Sequence, residues 1–211
     1  WAGGDAHGAW FDSVEVGNFE ASRLNGLESG ANPPAGDNTG SYEKVGGVTT
    51  GLAIAGSSNV TVSAVEISAL TCGRSSNYWQ WGDMPYEGQK DDQGRHICAQ
   101  GVWIDASQSI LVERVRIHDL STFVEWGLGT TPLRGIAVDA SEFVSVQQST
   151  IYGLVDLKWP DATWHCGVCV GASQVGSLSV LNTIVSTVAG SCLHSAASNS
   201  GLLSAAYSLF D

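Results

Sequence analysis

Residues 101–117 read Gly101-Val-Trp-Ile-Asp105, a turn through Ala106-Ser107, Ile110-Leu-Val112, a second turn, and Val115-Arg-Ile117. Residues 135–151 repeat that plan as Gly135-Ile-Ala-Val-Asp139, Ala140-Ser141, Val144-Ser-Val146 and Ser149-Thr-Ile151. Each unit holds short runs whose apolar residues alternate with others, which is the period of an extended strand and not of a helix. Working outward, an earlier unit runs Gly51-Leu-Ala-Ile-Ala55, Val60-Thr-Val62, Val65-Glu-Ile67. A later one runs Gly167-Val-Cys-Val-Gly171, Leu178-Ser-Val180, Thr183-Ile-Val185. Partial units stand at Val14-Glu-Val16 and at Leu202 to Phe210.

One unit of this kind cannot bury its own inner face, whereas a stack of them buries a continuous core. The expected fold is therefore all-β, a right-handed parallel β-helix of about five coils forming one domain over residues 1–211. A β-sandwich would not explain a three-strand unit that returns in the same order. The spacing between leading glycines is uneven, and the extra residues fall after the third strand each time, near 22–47, 71–100, 121–134 and 155–166. Insertions at one corner of a stack emerge on one side, and that side is often where a repeat protein binds.

These coils resemble those of the right-handed parallel β-helix superfamily, which includes pectate lyases, polygalacturonases, phage tailspikes and many bacterial surface proteins. The run Asn182-Thr-Ile-Val185, then Cys192, then Tyr207-Ser-Leu-Phe-Asp211 is similar to the closing coils of secreted bacterial β-helix proteins of unassigned activity. The resemblance implies a fold far more than an activity. Polygalacturonases carry Asn-Thr-Asp, Asp-Asp, Gly-His-Gly and Arg-Ile-Lys. Here Asp91-Asp92 lies in a loop, His165-Cys-Gly has other neighbours, and Arg116-Ile117 continues to His118. Pectate-lyase-like sites need an arginine base beside calcium; Arg134, beside the insertion corner, can be offered, but nothing ties it to ligands.

The insertions are rich in aromatic residues, with Trp79 and Trp81 in the second, Trp126 in the third, Trp159 and Trp164 in the fourth. Indole rings stack on sugar faces, anchor protein partners, or fill small satellite cores. These five are the candidate ligand contacts. Asp83, Glu87, Asp91 and Asp92 are the candidate oxygen ligands for calcium as a cofactor, although they match no established loop spacing. Asp105 and Asp139 hold the same place in adjacent coils, about 4.8 Å apart. They read as turn caps or as an acid/base pair of the kind that works on glycosidic bonds. His118 precedes Asp119, but neighbours on a strand point to opposite sides.

Cys72 and Cys98 flank the second insertion, so a bridge between them would staple its base. Cys166 and Cys169, three apart, should stand about 10 Å apart in extended chain, too far for a bond. Cys192, one coil on, is then expected to pair with Cys166 or Cys169. Disulfides imply an oxidising compartment and a secreted or cell-surface protein.

The net charge of −12, with nine Lys and Arg, excludes a nucleic-acid partner, which needs clustered basic residues. No segment reaches the ~20 apolar residues of a membrane-spanning helix. Trp1 at the start reads as a processed or partial chain. A final run that ends in a strand calls for something to cover it, such as a capping partner protein. Three functions follow in order: a polysaccharide binder working through the Trp-rich face, a structural subunit of a larger extracellular assembly, and a polysaccharide lyase or glycoside hydrolase with an incomplete catalytic set.

Overall fold

The computed structural model describes residues 2–3, 10–12, 15–17, 49–74, 97, 99–124, 132–156, 165–171, 176–195 and 203–211. Regular structure among them is all strand, wound as a right-handed parallel β-helix with three sheets. The first sheet stacks β1 (Ala2–Gly3), β4 (Thr49–Ala55), β8 (Ala99–Asp105), β11 (Leu133–Asp139), β14 (His165–Val170) and β17 (Gly190–Ser195). The second stacks β2 (Trp10–Asp12), β5 (Ser58–Ser63), β9 (Gln108–Glu113), β12 (Glu142–Gln147), β15 (Leu178–Leu181) and β18 (Leu203–Ala206). The third stacks β3 (Glu15–Gly17), β6 (Glu66–Ser68), β10 (Arg116–Val124), β13 (Thr150–Asp156), β16 (Ile184–Val188) and β19 (Leu209–Phe210). A short strand, β7 (Thr71–Arg74), pairs with the far end of β10. The first two sheets hold six strands each and the third seven, counting β7, in keeping with the stack of about five coils that the repeat suggested.

The period-two pattern sets the register. Ile54, Ile104, Val138 and Val170 stack in the first sheet, and Val62, Val112, Val146 and Val180 in the second. Ile67, Ile117, Ile151 and Val185 stack in the third. All are buried in one core cluster. Full burial of such a side chain is worth about 1.5–3 kcal/mol, and a one-residue slip would turn a whole ladder outward.

Hydroxyl groups organise both turns. At the first corner the Ser57 amide donates to Ser107 Oγ at 3.1 Å, and the Ser107 amide to Ser141 Oγ at 3.1 Å. Each hydroxyl in turn donates to the carbonyl two residues back, on Ala55, Asp105 and Asp139. At the second corner Ser149, Thr183 and Ser208 do the same toward Gln147, Leu181 and Ala206. Buried amides that a sharp bend removes from the sheet ladder are thereby satisfied. The second bend also places Ala64, Arg114, Gln148, Asn182 and Tyr207 at positive φ. That conformation costs side-chain-bearing residues roughly 1–2 kcal/mol each, so the stacking on either side of each bend has to outweigh it.

The leading glycines answer to a close approach between coils. A Cβ on Gly167 would stand 2.7 Å from the Cys192 carbonyl oxygen. Cys192 occupies the equivalent place in the next coil, between the register pairs Cys166↔Ser191 and Val168↔Leu193. Among the described residues no further coil stacks on it, so a side chain is tolerated there. That break in the glycine pattern hid β17 from a repeat aligned on Gly.

The cysteine expectation needs a correction. Cys166 and Cys169 are bonded to each other, and Cys192 is free. The chain is bent across Gly167-Val168, which brings the two Cα atoms to 5.8 Å, whereas the expected separation assumed a straight strand. Cys72 lies in β7, while Cys98 lies outside the described residues.

Candidate functional site

Corner geometry decides where a ligand could meet this fold. The first turns of the second, third and fourth coils need only a few residues, for example Ala106-Ser107 between β8 and β9. The long connections, β3 to β4, β7 to β8, β10 to β11 and β13 to β14, all leave the third sheet and return to the first. By contrast β16 reaches β17 through Ala189 alone. The candidate contacts Trp79, Trp81, Trp126, Trp159 and Trp164 belong to these connections but lie outside the described residues, as do Asp83, Glu87, Asp91 and Asp92. Strands extend into the stretches read as insertions, since β7 pairs with Ser121 to Val124 and β13 runs to Asp156. Among the described residues no group of three or more His, Cys, Asp or Glu is arranged to hold a metal ion.

On the outer face of the first sheet, Asp105 and Asp139 are in register on β8 and β11. Burial raises the Asp105 carboxyl above its usual range, opposed by a hydrogen bond from the Ala106 amide, which is the turn-capping role. Arg134 runs along the same strand toward Asp139, with Nη1 3.9 Å from Oδ2. Its guanidinium is buried, so Arg134 serves here as a charge partner of Asp139. Gly171 follows β14 at the next level, where a side chain would collide with the Asp139 carboxylate. A side chain at Gly171 would therefore require the Asp139 carboxylate to swing aside.

The His118–Asp119 pair that strand alternation argued against belongs to a group on the outer face of the third sheet. His118 Nε2 is 2.8 Å from Glu66 Oε1, and Nδ1 is 2.8 Å from Asp119 Oδ2. Asp119 reaches its neighbour because it has a φ of 55°. That local kink cancels the alternation by which adjacent strand residues point apart. The His118 ring stacks on Tyr152 with centroids 5.0 Å apart and planes 4° apart. Arg116 donates to the Tyr152 hydroxyl at 2.8 Å, and its guanidinium lies over the same ring. Registers Arg116↔Glu66, His118↔Tyr152 and Arg116↔Thr150 make this one patch across three coils. The signal for it was present: once the third strands are aligned, Glu66 falls beside Arg116 and His118 beside Tyr152.

Burial works against a charged His118, but the hydrogen bonds to Glu66 and Asp119 outweigh it and hold the imidazole above its usual range. The His118 hydrogen bond, aided by Arg116, lowers Glu66. Both ring nitrogens are engaged by carboxylates, so neither is presented to a substrate as a base.

No family model, no curated protein and no solved structure matches this chain.

Proposed function

We propose that this protein is a secreted or cell-surface β-helix that holds an extended polysaccharide along the corner where its long connections emerge. The observation that carries the reading is topological: four connections, in consecutive coils, all span from the third sheet to the first. Such a row repeats at the rise between stacked strands, about 4.8 Å, which is close to the length of one sugar ring in an extended chain. Five tryptophans fall within those connections, and indole faces suit sugar rings. The Cys166–Cys169 disulfide agrees with an oxidising compartment. The coil plan also supports kinship with the pectate-lyase-like β-helix superfamily, for which fold likeness is the only warrant.

Affinity electrophoresis through gels cast with neutral and acidic polysaccharides, each with calcium or chelator, tests this directly. Retardation in one gel, lost in a variant with all five tryptophans replaced by alanine, is the expected result. Loss with chelator would add calcium as a cofactor, with Asp83, Glu87, Asp91 and Asp92 as its ligands. Unchanged mobility in every gel overturns the polysaccharide reading.

A second reading, a subunit packed into a larger assembly, is favoured by one feature. Ile184 and Leu209 are in register on the outer face of the third sheet and are 44% and 58% exposed, beside Tyr207 at 90%. Such a cluster suits a protein partner. Purification as a stoichiometric complex with another extracellular protein supports it; a monomer at high concentration argues against it.

A further inference from the structure

Both nitrogens of His118 face carboxylate oxygens, at 2.8 Å on each side. Ionised carboxylates can only accept hydrogen bonds, and a neutral imidazole carries one N–H. Two such contacts therefore define an imidazolium. If the ring loses its proton, one nitrogen lone pair must face a carboxylate, and one of the two attractions turns into repulsion.

The position of this group in the fold gives that change a consequence. Glu66 belongs to β6 and His118 to β10, so the contact ties one coil to the next. Just beyond it both strands kink: Ala69 has a φ of 52° and Asp119 one of 55°. After the kink the chains pair again, as β7 against Ser121 to Val124, with the Ser121 amide donating to the Leu70 carbonyl at 2.9 Å. That second pairing forms the stems from which two of the long connections depart. The Glu66–His118–Asp119 group stands at the joint between sheet and stems.

Among the described residues, the charged and titratable groups facing His118 are few. They are Glu66 from β6, Arg116 and Asp119 from its own strand, and Tyr152 from β13. Further along the column Ser68 and Ser186 carry no charge. Glu15 is in register with Glu66 on β3, and Arg74 is in register with Val124 at the far end of β7. Arg116 is occupied by the Tyr152 hydroxyl, leaving His118 as the cation between the two carboxylates.

We propose that His118 is a pH-operated clasp, closed as an imidazolium between Glu66 and Asp119, which holds the stems of two long connections together and loosens them on deprotonation. The clasp is independent of what the connections bind. Its raised ionisation range keeps it closed through the mildly acidic range and opens it as pH rises past the imidazole's midpoint.

The test is an NMR titration of the His118 ring in the intact chain, with amide hydrogen exchange at Ser121 measured over the same pH series. The expected midpoint lies above that of an unperturbed histidine and falls in both Glu66→Gln and Asp119→Asn. Once the intrinsic pH dependence is removed, exchange at Ser121 should accelerate as His118 deprotonates. In His118→Gln, which cannot titrate, that step should vanish. A midpoint at or below the unperturbed value, or Ser121 exchange with no step tied to His118, overturns the proposal. The Glu66→Gln and Asp119→Asn titrations remain decisive even if His118→Gln folds poorly, because an unchanged midpoint in both variants also overturns it.

Discussion

Gly101 and Gly135 sit one above the other so closely that a Cβ on Gly101 would stand 2.7 Å from the Gly135 carbonyl oxygen. It would stand equally close to Ile117 Cγ2, at 2.7 Å. Neither neighbour has room to retreat, because one is backbone in the next coil and the other belongs to the buried ladder of the third sheet. Gly101→Ala should therefore overpack the joint and destabilise the protein by about 1–3 kcal/mol. Cys192 takes the same place in the last described coil, so Cys192→Ala should be near neutral. Urea unfolding midpoints of the two variants check this, and equal effects would refute the stacking explanation of the glycines.

The serine ladder makes a separate prediction. Ser141 accepts the Ser107 amide and donates to the Asp139 carbonyl at 2.6 Å, all at a buried turn. Alanine fits the space but leaves a buried amide without its acceptor. Ser141→Ala should cost about 1–3 kcal/mol. Ser177→Ala, at an exposed position, should change stability by less than ~0.5 kcal/mol. A Ser141→Ala variant as stable as the parent would mean that solvent replaces the hydroxyl.

The fold was legible where one physical requirement repeats. Alternation at Val60-Thr-Val62 or Val144-Ser-Val146 reports a strand with one buried face, and four repetitions define a stack. Leading glycines report backbone contact between coils, until Cys192 removes the signal because nothing described lies beyond it. Side-chain partnerships were harder to read, since they depend on local departures from extended chain. The bend across Gly167 joined two cysteines that a straight strand would hold apart, and the kink at Asp119 joined it to His118. Third-sheet register would have revealed Glu66 and Tyr152 as neighbours of Arg116 and His118. For the tryptophan connections, sequence supplies composition and topology supplies the corner from which they depart.

The Cys166–Cys169 bond closes a short loop, with a sequence separation of 3. A short loop removes little entropy from the unfolded chain, so the double change to serine should cost about 2 kcal/mol or less. Both sulfurs are buried in β14, which also predicts slow reduction of the folded protein. Thermal unfolding of the double variant and the rate of thiol appearance under dithiothreitol measure the two effects. Complete unfolding on mild reduction would contradict this reading.

His118 and Glu66 impose opposite pH dependences on stability, which together define a window. The His118 pKa is raised in the folded state, so its contribution is fully present below the unfolded-state pKa and disappears as pH rises through the folded one. The Glu66 pKa is lowered, so its contribution is present above the unfolded-state carboxylate pKa and is lost as pH falls through the folded value. The stability difference between the parent and His118→Gln should therefore peak between the carboxylate and imidazole ranges and decline on both sides. Chemical denaturation at several pH values from acid to mildly alkaline gives the curve. Salt should flatten it only in part, because Glu66 is half exposed whereas His118 is 13% exposed and screening acts mainly on solvent-facing charge. A difference that stays constant across the series would mean that His118 contributes by packing on Tyr152 and not by its charge.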